Sequence, residues 1–496
     1  MSEFPAEQGS HHEAATDPAT DPATDASERT RWIALLVCCS ALFMTLLDVS
    51  ITNVALPSIS DALGAGPSQL QWIVSGYTLS FGLVPVLAGR LGDDHGRKRM
   101  FQIGVASFAV TSALAGLAPT AEVLIAARVL QGVAGGLINP QVSGLVQQMF
   151  RGEERGRAFG ALGTTVGVGV ALGPMVGGVL IALGGADLGW RLVFFVNVPV
   201  GLVVLALARR FLPQTPATGR HRLDVVGSLL LGAATFCVLF AAVELEQVGA
   251  VVALLGVPAV VLLALFYRRE RRLTRERADP LVDLRLFRRP SYTSGVVLAL
   301  LYFPAQAGIP LVLTLYFQRG LGYSALQTAL AVTAFAVGSA VAAQTAGRFV
   351  TRVGRPLIVG ATLVFGAGAA ATALVAQAAS PAHAALALAV PLFVMGLGNG
   401  GVITPNQALT LADVDPVVGS TAGGVLQTAQ RVGLALGQTI IGAVFFASLT
   451  GSGPTAYADA LGLAVVGALV FVTAATVVGV GEVVRERRRA AARTPG

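Results

Sequence analysis

Gly89-Arg90-Leu91-Gly92-Asp93-Asp94-His95-Gly96-Arg97-Lys98-Arg99 joins two apolar runs, and Gly347-Arg348-Phe349-Val350-Thr351-Arg352-Val353-Gly354-Arg355 joins two more, with Gly347 standing 258 residues after Gly89. The flanking runs have about 20 apolar residues each, the length a helix needs to cross a hydrocarbon layer about 30 Å thick. Helices beginning near residues 32 and 291 are separated by nearly the same offset, so the chain reads as two six-helix halves with a helix pair inserted between them. Parallel repeats of this kind are how alternating-access transporters are built. In the first loop, glycine permits tight turning. Asp93 and the basic cluster can pair with each other and with helix ends in one conformation only, so Gly89, Asp93, Gly96 and Arg97 read as a gate latch.

Composition extends this reading to the whole chain. Of 496 residues, 54% are hydrophobic and only 12% charged, and the mean hydropathy is +0.71, so lipid is the expected solvent. The pattern predicts fourteen helices, at 32–56, 70–90, 101–118, 121–147, 157–183, 191–211, 223–245, 249–268, 291–317, 324–347, 356–378, 383–405, 418–449 and 458–481. The implied organisation is a disordered tail at 1–30, a six-helix half at 31–211, two inserted helices at 212–270, a basic linker at 271–290, a second six-helix half at 291–481 and a basic tail at 482–496. With the N-terminus inside, every Lys and Arg lies in an inward segment except Arg128, Arg191, Arg319 and Arg431. That asymmetry predicts a multi-pass protein with both termini cytoplasmic. It also turns the net charge of +7 toward anionic headgroups rather than nucleic acid. The near-absence of lysine, with Lys98 alone, points to a bacterium of high GC content.

Three polar groupings inside the spans carry chemistry. Thr45, Asp48 and Thr52 share one face of the first helix, with a carboxylate well inside the span. Arg128, Gln131, Gly135 and Asn139 share a face of the fourth, where a costly buried arginine should meet a partner in the bundle interior. Gln427, Gln430, Arg431 and Gln438 make the thirteenth helix polar. Glu244 and Glu246 end the seventh, where Glu244 could draw a cation to an outer vestibule. In the fifth helix, Gly169, Gly173 and Gly177 are spaced by four for close packing, and Pro174 adds a bend. Cys38, Cys39 and Cys237 sit in apolar runs and read as small hydrophobes, and none of the five histidines forms a metal pattern.

From residue 32 to 481, these motifs resemble the 14-span drug:proton antiporter branch of the major facilitator superfamily. Leu47-Asp48-Val49-Ser50-Ile51-Thr52-Asn53-Val54-Ala55-Leu56-Pro57 resembles its first-span signature, and Arg128-Val129-Leu130-Gln131-Gly132 its buried-arginine motif. Gly160, Gly169, Gly173, Pro174, Gly177 and Gly178 fit its antiporter motif. The resemblance implies an all-α membrane fold, proton coupling through Asp48 and Arg128, and a cavity drawing on Thr45, Thr52, Gln131, Asn139, Glu244, Gln427 and Arg431. It also implies export of amphipathic drugs, antibiotics or quaternary cations by a bacterial plasma-membrane protein that works as a monomer, powered by a proton gradient without a cofactor or metal. No Gly-x-x-x-x-Gly-Lys-[Ser/Thr] loop occurs, which argues against ATP hydrolysis. Nor are there the clustered intramembrane His, Glu or Ser–His pairs of a membrane enzyme. A symporter or uniporter importing a small molecule, or a membrane sensor that moves nothing, remains the competing reading.

Overall fold

The computed structural model describes residues 22–214, 224–243, 249–276, 278 and 280–491. They form α1 (Pro22–Leu63), α2 (Pro67–Leu83), α3 (Pro85–His95), α4 (Arg97–Gly116), α5 (Ala121–Met149), α6 (Gly152–Phe195), α7 (Asn197–Phe211), α8 (Val225–Val243), α9 (Gly249–Glu276), α10 (Pro290–Leu315), α11 (Ala325–Val353), α12 (Arg355–Ala378), α13 (Ala384–Thr410), α14 (Gly419–Ser448) and α15 (Pro454–Ala491). Local chemistry sets the breaks. Pro85, lacking an N–H, opens α3 after a 47° bend from α2. Gly185, at φ +66°, divides α6 into two rods. A Ser324–Gln327 capping box starts α11.

By length and apolarity, nine helices among the described residues can cross a membrane, or ten with α2 and α3 as one bent span. The fourteen expected spans are therefore supported only in part. The helices that miss the criterion are α4, the first rod of α6, α8 and α9. Arg97, Lys98 and Arg99 begin α4, four charged residues lie in the first two turns of α6, and arginines crowd the end of α9. Helix α1 begins at Pro22, inside the segment read as disordered, and α15 continues past its expected span to Ala491, through most of the segment read as a basic tail.

One large apolar cluster lies mainly in the first half and another wholly in the second, drawn from residues 298–475. Large apolar side chains also cover the outside, among them Leu183, Leu202, Leu330, Leu386 and Val470. Such a surface suits lipid, in which close van der Waals packing of small residues, more than water exclusion, holds helices together.

The repeat is visible in the backbone. Gly96 and Gly354, both at positive φ (95° and 68°), start α4 and α12, and the buried Arg97 and Arg355 follow them. At each repeat the preceding glycine touches the opposite half. A Cβ on Gly89 would lie 2.3 Å from the Ser420 carbonyl oxygen of α14, and one on Gly347 would lie 2.6 Å from that of Gly156 in α6. Two pseudo-equivalent seams, α3 on α14 and α6 on α11, thus join the halves at the end bearing the basic loops.

At this basic end the described part of the 271–290 linker is docked. Leu281 and Val282 are buried beside Val86 and Leu87 of α3, and the Val282 N–H donates to the buried Glu270 carboxyl at 3.0 Å. Burial, with the neighbouring Asp224 carboxylate adding to it, pushes Glu270 up to about 7. Arg269, bonded to Asp224 at 2.8 Å, holds that second carboxyl below its usual range against its own burial. Because the raised value favours protonated Glu270 in the docked state, its contribution to docking is full below the ordinary carboxylate range and is lost as pH rises through about 7. Trypsin should therefore cut the linker at equal rates in wild type and Glu270→Gln at pH about 5, and several-fold faster in wild type above pH about 8. Equal rates at both pH values would refute this.

Candidate functional site

A sealed carboxylate lies at the centre of the first half. Asp48, fully buried, accepts from Arg128 at 2.5 Å on one oxygen, and from Gln131 (2.9 Å) and Asn197 (2.8 Å) on the other. Arg128 also donates to the Gln131 amide oxygen at 2.7 Å and to the Ile73 carbonyl, and its guanidinium lies 4.2 Å above the Tyr77 ring. Asn197 reaches on to Ser112 at 3.0 Å, and Ser112 to the Phe194 carbonyl at 2.8 Å. Each carboxylate oxygen thus has donors, which is what makes a buried ion pair tolerable.

Next to this pair are two contiguous cavities. The first, about 450 Å³, is walled by Thr45, Ser50, Asn53, Tyr77, Phe81 and Gln438 among others. The second, about 260 Å³ and nearer the basic end, takes in Asn139, Ser143, Gln306, Gln407, Gln427 and Gln430. Leu46, Arg431 and Leu434 line both. Their volumes are those of small-molecule sites, mostly apolar with a few polar groups. Tyr77 is the partition, because its ring faces the first cavity on one side and carries Arg128 on the other.

Below the second cavity the halves are locked together. Asp93 accepts from the backbone N–H of Ser420 (3.1 Å) and Thr421 (2.8 Å) and from the Thr421 hydroxyl (2.8 Å). Arg97 donates to Asp93 at 2.8 Å, to the Gly144 carbonyl at 2.9 Å, and to the Pro416 and Val417 carbonyls. The carboxylate therefore sits at the N-terminus of α14, where a helix dipole favours negative charge. Gln147 to Gly419 (3.2 Å) and Ser143 with Gln407 and Gln427 (3.2 and 3.3 Å) extend the seam. In the second repeat the position matching Asp93 is Thr351, which is exposed, so this acid latch has no counterpart there.

The sequence-derived residues sort as follows. Asp48, Arg128 and Gln131 meet, as do Asp93 and Arg97, while Thr45, Asn139, Gln427 and Arg431 line the cavities. Two expected cavity residues do not. Thr52 turns its hydroxyl back to the Asp48 carbonyl at 2.7 Å, and Gln131 is consumed by the Asp48–Arg128 pair. Glu244 lies outside the described residues. Gly169, Gly173 and Gly177 pack α6 on α1, with the hypothetical Cβ of Gly173 only 2.2 Å from that of Ser50, and Gly160 packs on α11. Gly178, by contrast, faces open space, because it lies one residue round from that face. Pro174 is within α6, with its side chain outside the described set. Sequence reasoning missed Asn197, Ser112 and Tyr77 as site residues. A lone amide in an otherwise apolar run was the available signal for Asn197, and neither Ser112 nor Tyr77 carried one.

Comparison with known proteins places this geometry in context. The sequence profile described as Major Facilitator Superfamily matches residues 38–438. A probable actinorhodin transporter of Streptomyces coelicolor is 38% identical over 434 residues, 86% of this chain and 75% of that one. A puromycin resistance protein of Streptomyces alboniger is 34% identical over 84% of this chain and 82% of its own. Among solved structures, the proton:xylose symporter XylE is 16% identical with a TM-score of 0.62, covering 89% of this chain and 95% of that one.

Proposed function

Because the chain belongs to the Major Facilitator Superfamily, and is a multi-pass membrane transporter rather than an enzyme, we propose that it exports amphipathic small molecules of the drug or antibiotic kind in exchange for protons. The observation that carries this reading is the sealed Asp48–Arg128 pair, whose guanidinium lies 4.2 Å over the ring of Tyr77, a wall residue of the 450 Å³ cavity. Loading a proton on Asp48 would release Arg128, disturb the ring that forms the cavity wall, and so tie protonation to the shape of the binding space. Export is favoured by the relatives named as a transporter of actinorhodin and a puromycin resistance protein. The basic end is cytoplasmic in this proposal, following the distribution of arginine. The state described, latched at that end, then faces outward.

The finer features belong to the same proposal. The ten apolar spans counted with α2 and α3 as one, together with α4, the first rod of α6, α8 and α9, make the fourteen of the drug:proton antiporter branch. The protein sits in the plasma membrane with both termini inside, acts as a monomer, and takes its energy from the proton gradient alone.

The test is to reconstitute pure protein in liposomes with a trapped pH dye, impose a pH gradient and add antibiotics and amphipathic dyes. Proton release from the acidic side, driven by a compound moving the other way, is the expected result. Movement of both in one direction would replace antiport by symport, the mode named for XylE. Compound flux without proton movement would mean a uniporter, and no flux of any compound a sensor.

A further inference from the structure

Arg431 is the only charged side chain lining either cavity, among the described residues. It projects from the middle of α14 where the two cavities meet, and no ion pair or hydrogen bond holds its guanidinium among those residues. Its guanidinium lies 4.2 Å over the Phe81 ring, with the neutral Tyr77 phenol also nearby. Arg128, in contrast, has a carboxylate, an amide and a carbonyl. An arginine at membrane depth is costly and is normally paired. When the bundle supplies no partner, the partner that lowers the cost is a cargo anion, and a guanidinium offers a planar fork for a carboxylate or phenolate.

The amide groups nearby define the rest of the cargo. Asn139, Gln306 and Gln427 each have a buried amide oxygen without a donor, and all three line the second cavity with Arg431. Buried acceptors left open cost stability until a donor reaches them. Apolar walls from Leu46, Val142, Phe159, Phe303 and Leu434 surround these groups.

We infer that Arg431 is the anion-recognition point of the cargo site, and that the cargo is an amphipathic organic anion, an aromatic acid or phenolate bearing hydroxyl or N–H donors. This narrows the expectation of quaternary cations, which an unpaired guanidinium at the junction of the cavities would repel. It rests on the export reading only in requiring a cargo, and proton coupling has no part in it.

The test is equilibrium binding to purified protein without a pH gradient. The probes are fluorescein, an anionic xanthene with a phenolic hydroxyl, and rhodamine 123, a cationic xanthene of similar size. Wild type should bind fluorescein more tightly than rhodamine 123. Arg431→Gln should weaken fluorescein about 10- to 100-fold and leave rhodamine 123 unchanged or tighter. Arg431→Lys, retaining the charge, should restore fluorescein binding to within about tenfold of wild type. Rhodamine 123 binding by Arg431→Gln shows that the variant is folded. The inference is overturned if wild type does not bind fluorescein, if it prefers rhodamine 123, or if Arg431→Gln binds fluorescein as wild type does. Anion binding without proton exchange in the liposome assay would sink the antiport reading and leave this one standing.

Discussion

Asp48→Asn stops gradient-driven transport while the cavity still holds its cargo. The carboxylate receives Arg128 on one oxygen and two amide donors on the other. Asparagine keeps one acceptor and brings a second set of donors, so its amide nitrogen would face either the guanidinium or the side chains of Gln131 and Asn197. Breaking one partner of a buried pair in this way costs about 3–5 kcal/mol, and the neutral side chain cannot carry a proton. The initial rate under a pH gradient should fall at least about 100-fold, because no proton can be loaded or released at this position. Asp48 lines neither cavity, so cargo should still bind at equilibrium, but with Arg128 and the Tyr77 wall fixed as in the protonated state the affinity should no longer follow pH as it does in wild type. Coupled flux that survives in Asp48→Asn would move the proton site elsewhere and leave Asp48 as a structural acid.

Gly89→Ala acts on the other moving part. Its methyl group would stand 2.3 Å from the Ser420 carbonyl oxygen and 2.8 Å from the Thr421 Cα, both backbone atoms of α14. Backbone cannot rotate aside as a side chain can, so the contact is relieved by separating α3 from α14. The penalty therefore falls on the latched state alone. Overpacking of this kind costs about 1–3 kcal/mol, which shifts the ratio of latched to open molecules about 5- to 150-fold. Glu153 and Arg352 meet across the second seam at 3.0 Å on the exposed basic end. Cysteines placed there, after Cys38, Cys39 and Cys237 are replaced by alanine, should be bridged by a short bifunctional thiol reagent in the otherwise wild-type chain and several-fold less with Gly89→Ala. Unchanged crosslinking would mean that the seam is not part of the opening motion.

Much of this molecule was legible in its residues. A helix must satisfy its own backbone in lipid, so apolar length alone marks the long spans, and the 258-residue offset between Gly89 and Gly347 marks the repeat that the backbone at Gly96 and Gly354 carries. Charge within an apolar run is costly, and for that reason Asp48, Arg128 and Arg431 stood out without any coordinates. Helix periodicity put Arg128 and Gln131 on one face, which is local geometry.

Partners distant in the chain could not be read in this way. That Asn197 completes the shell of Asp48 from 149 residues away, that Asp93 caps α14 across 328 residues, and that Tyr77 divides the ion pair from the cavity are consequences of how helices cross. Thr52 and Gln131 share helix faces with cavity or proton residues, yet the one bonds its own backbone and the other the ion pair. The sequence by itself determined which side chains are too polar to lie idle in a membrane, because transfer energy belongs to the residue. Only the tertiary structure decided which of them are already satisfied by the bundle and which, like Arg431, face a cavity, because satisfaction belongs to the contacts.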